Sequence, residues 1–561
     1  MNMSLRRISR SRLFALLALL LAPAAAIRAA HLAPSPQQTT IAGGHFRVAG
    51  TIVSSLSGAP LARARVSLTS TRDARQSLQI VTGDDGRFDF TGIPAGKFSL
   101  RGAKRGFVAA AYEQHEQFST AIVTGAGFDT ENLVLRLTPL AFISGKVTGE
   151  VGDPVHHAQV WLYRNITTGG FTRVNRVSAD STDDQGYYEF PAVPPGEYFI
   201  SASGRPWYAV HPAHAAPEGA AVNPPPNVAP SLDVAYPATY YSGATNSEGA
   251  TPIAIKAGDH AQIDLHLNPV PALHLIVHVD EQQQGGYSMP TFRRHSFDST
   301  EWVSSNFTQR ISPGVFEVTG VPAGRYTVSQ LQQGSQQSSE IVLSEDAQDV
   351  DVSHGELSAR VIVKAVLPPS EKPPRQLFIA LRNPRRQFAG NGAVDASGEI
   401  AFDIVPPGKY SIVAGSTDRP YSVSRVSAAG TADTAGPIID VAAGASLDLT
   451  VYLVGGTVSL EGVVKRGDKP ASGIMVALIP SAPESHLELF RRDQSDLDGT
   501  FILRGVIPGS YTLVAVEDAW GFAWLEPGAL ARYLRNGQNI TISDPMRGSI
   551  TLPEPVQVQP R

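Results

Sequence analysis

The side chains that could do chemistry are few and unevenly placed. None of the 14 histidines sits in the His-Glu-x-x-His arrangement that presents two imidazoles and a general base to one zinc ion. His211, His214 and Glu218 come nearest to a metal set, but they fall in an Ala/Pro-rich stretch that reads as a solvated loop. With 0 cysteines there is no thiolate ligand, no covalent cysteine nucleophile, no disulfide and no lipid-bearing N-terminal cysteine. Neither a Gly-x-Ser-x-Gly elbow nor a phosphate-cradling glycine loop occurs. Asp493, Asp496 and Asp498 precede Gly499 and offer hard oxygens of the kind calcium takes. The closing bidentate glutamate of a calcium loop is missing, and Asp-Gly turn chemistry accounts for the same residues. The expectation is no enzyme, no metal and no cofactor.

Aromatic rings are the chemistry that remains. Trp207 with Tyr208, and Trp520 with Trp524, each follow a predicted strand near the edge of a domain. An exposed ring there can stack on a sugar; the competing reading is that the same rings cap an apolar core. Trp161, between Val160 and Leu162, fits either face. The candidate carbohydrate contacts are therefore Trp207, Tyr208, Trp520 and Trp524.

These residues hang on a frame that recurs five times. Gly86, Gly186, Gly314, Gly398 and Gly499 are each followed ten residues later by another glycine: Gly96, Gly196, Gly324, Gly408 and Gly509. Two and four residues after the anchor stand apolar side chains, such as Phe88 and Phe90 or Tyr188 and Phe190, alternating with Arg87, Asp89 or Glu189. That period of two is a strand with one buried face. Asp-Gly before it and Pro-x-Gly after it are turns. Twelve residues after the anchor an aromatic opens the next strand: Phe98, Tyr198, Tyr326, Tyr410 or Tyr511.

The anchors lie 100, 128, 84 and 101 residues apart, each interval long enough for one small domain in this 561-residue chain. The 51 glycines, 42 prolines and 17% charged residues fit an all-β, loop-rich array. A net charge of −5 argues against a nucleic-acid or anionic-membrane surface. Arg6, Arg7, Arg10 and Arg12 before the apolar run Leu13 to Leu21, then Ala24 to Ala26, read as a signal peptide over residues 1–30. Residues 31–45 read as a loose leader, and no later segment is apolar enough to span a membrane as a helix.

A second set of residues precedes each anchor. Gly50-Thr51-Ile52-Val53, Gly58-Ala59-Pro60 and Val66-Ser67-Leu68 are echoed by Gly145-Lys146-Val147, Pro154 and Val160-Trp161-Leu162, and by Gly462-Val463-Val464, Pro470 and Val476-Ala477-Leu478. Together with Asp-x-x-Gly-x-Phe-x-Phe and Pro-x-Gly-x-Tyr, this pattern resembles the carboxypeptidase regulatory-like domain. The resemblance is strong in the first, second and fifth copies, fainter in the fourth, and weakest in the third, where Pro313 precedes the anchor. It implies a bacterial, all-β protein of five tandem transthyretin-like sandwiches, of the carbohydrate-binding-like kind, after the signal peptide. The expected domains are 46–137, 138–269 with a Pro-rich loop, 270–354, 355–454 and 455–561. A short helix is expected near Pro527 to Arg535. The function implied is a secreted, periplasmic or cell-surface binding scaffold whose partner is a glycan or an envelope protein. The alternative is a structural spacer or assembly partner of an envelope protein. No sortase-type tail or lipid anchor is read in the chain.

Overall fold

In all five copies the anchor glycine turns the chain at positive φ: 66° at Gly86, 77° at Gly186, 70° at Gly314, 82° at Gly398 and 76° at Gly499. Its carbonyl then accepts a backbone N–H from the first strand of its own unit or, in the third, from the residue just after it: from Ile52, Val147, Val279, Ala365 and Val464, at 2.7–2.9 Å. A Cβ at Gly186 would lie 2.6 Å from the Val147 oxygen, and one at Gly499 2.6 Å from that of Val464. Glycine is thus required twice, by conformation and by close approach.

The computed structural model describes residues 43–561 except 126, 169, 214–228, 280–288, 304–306, 333–334, 370, 386, 429–433, 482, 484–485, 522, 524–527 and 544–546. The expected signal peptide, most of the leader, His214, Glu218, Trp524 and the proline triplet of the second unit lie outside the described residues.

The first unit shows the plan. Its strands are β1 (Phe46–Ser54), β2 (Arg65–Ser70), β3 (Ser77–Val81), β4 (Arg87–Ile93), β5 (Gly96–Ala103), β6 (Ala110–Ala111), β7 (Ile122–Thr124) and β8 (Leu133–Leu137). One sheet runs β4-β1-β8, the other β3-β2-β5 with β6 and β7 both on β5. β1 pairs antiparallel with β4 and parallel with β8. Phe88, Phe90, Phe98 and Leu100 enter the core with Val48, Ile52, Val66 and Leu68. Arg87 and Asp89 point outward, as the period of two requires.

The parallel pairing of first and closing strands recurs in every unit. Ala141–Thr148 pairs with His260–Gln262 and Leu265–His266, and Leu273–His278 with Gln348–Asp351. Ala359–Val366 pairs with Ser446–Gly455, and Val458–Arg466 with Gly548–Thr551 and Val556–Gln559. Five β-sandwiches therefore follow one another. In the third, Glu356–Leu357 still pairs with Gln337 and Ser338, so its sheet runs on past residue 354. The described helix of the fifth unit is short, Ala531–Leu534.

The aromatic twelve residues after the anchor has a second duty besides filling the core. The hydroxyls of Tyr198, Tyr326, Tyr410 and Tyr511 donate to the carbonyl four residues earlier: Pro194 at 2.6 Å, Pro322 at 2.8 Å, Pro406 at 2.7 Å and Ile507 at 2.7 Å. Each carbonyl sits at the tight turn, where it has no strand partner of its own. Phe98 has no hydroxyl, and in the first unit the Thr124 hydroxyl donates to Pro94 O at 2.6 Å in its place. A different brace recurs in units one, two and five. There the buried hydroxyls of Thr82, Thr182 and Ser495 donate to Leu61, Val155 and Ala471 and accept the amides of Ala64, Ala158 and Ile474.

The units meet through hydrogen bonds and packed aromatic rings. Leu140 N–H donates to Gly106 O at 2.9 Å between the first and second. Between the second and third, the hairpin tip at Phe297 packs among Tyr163, Phe199 and Tyr240. Below it the buried Glu301 accepts from Tyr163 and from Arg294. Gly444 N–H donates to Leu357 O between the third and fourth, and Ser422 to Glu488 between the fourth and fifth. The fifth unit, in turn, packs against the first.

The turn hydroxyls give a direct test. Tyr410→Phe is expected to lower the opening free energy of the fourth unit by about 1 kcal/mol, read by hydrogen exchange on its peptides. Thr124→Val should do the same in the first unit alone. Unchanged exchange in both would mean that the turn carbonyls find water as readily as a hydroxyl.

Candidate functional site

The chain leaves the strand Gly196–Ser203 and places Trp207 almost wholly in solvent, with 84% of its surface exposed. Tyr208 stands edge-on to it, ring centroids 5.8 Å apart at 87°. Beside them opens a cleft of about 440 Å³, lined by Glu150, Asp153, His156, Arg205, Trp207 and Tyr236 among others. Glu150 accepts from the hydroxyls of Tyr208 and, at 2.7 Å, Tyr236. Tyr236 belongs to the core of the second unit, so the carboxylate is tied to a rigid element. Burial pulls the Glu150 carboxyl upward. Donation from Tyr208, from its own backbone and from Tyr236 outweighs that and holds it below the usual carboxylate range. Hydrogen bonding to Glu150 pushes the Tyr208 hydroxyl up to about 12. At neutral pH the cleft thus offers a fixed anionic acceptor beside an exposed indole, with Arg205 and His156 also in its lining. Such a set can stack on a pyranose ring and accept its hydroxyl protons.

Trp520 lies elsewhere and does not present its ring. It is 7% exposed and packs with Met475, Val514, Leu530 and Tyr533. One neighbour across the units is His115, stacked at 5.2 Å and 8°, and another is Phe118 at 5.4 Å. Trp520 thus takes the place of a ring that caps an apolar core, and the first unit covers it. Trp524 is outside the described residues. Trp161 lies under Arg176, whose guanidinium is 4.3 Å from the ring centre.

The other candidates also acquire definite partners. His211 is not a solvated loop residue. Its Nδ1 pairs with Asp233 Oδ1 at 2.8 Å, and the other Asp233 oxygen meets His274 Nε2 at 2.7 Å, with both imidazoles buried. Among the described residues no group of three or more His, Asp or Glu side chains is placed to hold a metal ion. The three aspartates before Gly499 serve a strand contact, a turn and a contact between units. Asp493 accepts Ile502 N–H at 2.7 Å, and Asp498 accepts Thr500 N–H at 3.0 Å and its hydroxyl. Asp496 takes Lys97 Nζ at 2.5 Å and Ala121 N–H at 2.9 Å, both from the first unit.

Those last bonds belong to a second surface that local sequence patterns do not reveal. Arg492 makes two bonds to Glu116, at 2.9 and 3.1 Å, with side chains only 8% and 11% exposed. Gln494 Nε2 donates to Glu113 O at 2.7 Å and to Thr120 Oγ1 at 2.9 Å. Leu497 N–H donates to Ala121 O at 3.1 Å, so the backbones bond directly across the contact.

Residues 47–136 match the family model of the carboxypeptidase regulatory-like domain. No curated protein matches the chain. Solved structures similar to it include the TIE protein of Bacillus anthracis, 11% identical over 73% of this chain and 74% of that one, with a TM-score of 0.16. A streptococcal ancillary pilin is 11% identical over 55% of this chain and 98% of its own, with a TM-score of 0.20. Two B repeat units of the collagen binding protein of Staphylococcus aureus are 9% identical over 72% and 99%, with a TM-score of 0.13. At these scores the likeness carries no functional argument. Among the described residues no helix is long and apolar enough to cross a membrane.

One buried group gives a pH prediction. Burial pushes the Asp493 carboxyl from its usual 3.8 up to about 6. The native state therefore holds that proton more tightly than the unfolded chain. Stability from this group is gained as pH falls through about 6 and is complete below 3.8. Asp493→Asn keeps an oxygen for Ile502 N–H without a charge to bury. The variant should melt higher than the parent at pH 7 to 8, by roughly a few degrees, and vary less between pH 4 and 6. Parallel pH profiles in calorimetry would show that Asp493 is solvated.

Proposed function

With its first sandwich a carboxypeptidase regulatory-like domain and four more on the same strand plan behind it, we propose that this chain is an exported, non-catalytic scaffold that binds glycan at the Trp207 cleft of its second unit. The observation that carries the reading is the 84% exposure of Trp207 at the lip of a concave site whose carboxylate is already fixed by two tyrosines. An open indole face offers the flat apolar surface on which a sugar ring stacks. Preorganised polar groups beside it reduce the ordering cost of binding. Export rests on the basic and apolar stretch of residues 1–30.

The spacer alternative asks for an array whose length is its reach. The contact between the first and fifth units counts against it, because it folds the array back on itself.

Affinity electrophoresis and a glycan array with the mature chain test the proposal. Trp207→Ala is expected to weaken retention at least about tenfold, or ~1.4 kcal/mol, without altering the thermal transition. Trp302→Ala, which removes another exposed indole on the third unit, should leave retention intact. Equal binding by parent and Trp207→Ala would move any glycan site away from this cleft.

A further inference from the structure

The contact between the first and fifth units differs from the other joints. Neighbouring units are held together by the chain itself, whereas these two are separated along it by residues 138–454. They meet through side chains and through the backbone bond from Leu497 N–H to Ala121 O. One face carries Lys97, Glu113, His115, Glu116 and Phe118. The other carries Arg492, Gln494, Asp496, Asp498 and Trp520. The charges are matched across it: Lys97 lies 2.5 Å from Asp496 and 3.7 Å from Asp498, and Arg492 grips Glu116 with two bonds. At the centre, the Trp520 ring is capped by His115 and Phe118, an arrangement typical of the aromatic anchors that dominate protein interfaces.

We propose that this contact is an exchangeable clasp whose two faces also mate between copies, so that a second copy of this chain is a partner. The two faces are different patches on different units, which makes the interface heterologous. Within one chain it closes the array. Between two chains, reciprocal exchange uses the same contacts twice and gives a closed dimer; one-sided exchange propagates head to tail. Nothing in the pairing of Glu116 with Arg492 requires that both belong to one molecule. Which form prevails depends on the concentration of chains against the local concentration that the intervening units impose. The proposal does not depend on the glycan reading, since the clasp lies on units one and five and the Trp207 cleft on unit two.

Charge reversal tests it on the full mature chain. Glu116→Arg leaves two facing cations within its own chain, and Arg492→Glu leaves two facing anions. Each variant alone should be open and monomeric in analytical ultracentrifugation, with a lower sedimentation coefficient than the parent. Mixed one to one, the introduced arginine of the first variant meets the introduced glutamate of the second. The remaining pair across the two chains is then the native Glu116 with Arg492. The mixture is expected to shift to twice the monomer mass at tens of micromolar. The double variant, with the pair reversed in one chain, should sediment as the parent does, and it shows that the substitutions leave the units folded. A mixture that stays monomeric beside a closed double variant would overturn the proposal, as would equal association of either variant alone.

Discussion

Buried charges key two of the contacts between units, and the larger architecture depends on them. Each sandwich closes its own apolar core, but Arg492 with Glu116 and Arg294 with Glu301 lie between or beneath units, with 17% or less of any of the four side chains exposed. Removing such charges from water costs several kcal/mol, which only good geometry offsets. Their contribution is therefore mostly specificity: an arrangement that misaligned the pairs would strand a charge. The Glu301 carboxylate, bonded by Tyr163 of the second unit and Arg294 of the third, shows how a joint is keyed.

Within a unit the controlling features are local, and for that reason they are legible in the sequence. The anchor glycine, the alternation at Phe88 and Phe90 and the tyrosine twelve residues on all lie within one strand–turn–strand segment that crosses from one sheet to the other. The residue types therefore carry the geometry directly. The exception is informative: Phe98 breaks the tyrosine rule, and Thr124, a residue of another strand, supplies the hydroxyl. No reading of the repeat alone points to that threonine.

What escapes the sequence is what depends on distant contacts. Trp520 sits in a stretch as aromatic as that of Trp207, yet one ring is covered and the other open. The difference lies in His115 and Phe118, which belong to a unit four domains earlier. His211 has the sequence surroundings of a loop residue, yet Asp233, 22 residues on, takes its imidazole, and the other Asp233 oxygen takes His274 of the third unit. Glu150 likewise gains meaning only from Tyr208 and Tyr236, 58 and 86 residues away. The acidic run before Gly499 reads as turn chemistry, which holds for Asp498, but its pattern does not show a surface that receives Lys97.

The array closes on itself where the first unit meets the fifth, and one amide reports it. Leu497 N–H is bonded to Ala121 O of the first unit, and its exchange with deuterium can be followed at high dilution. Leu497 should exchange slowly in the intact chain, independent of protein concentration, and fast once residues 46–137 are deleted. Equally fast exchange in both proteins would contradict it and leave five sandwiches without a clasp.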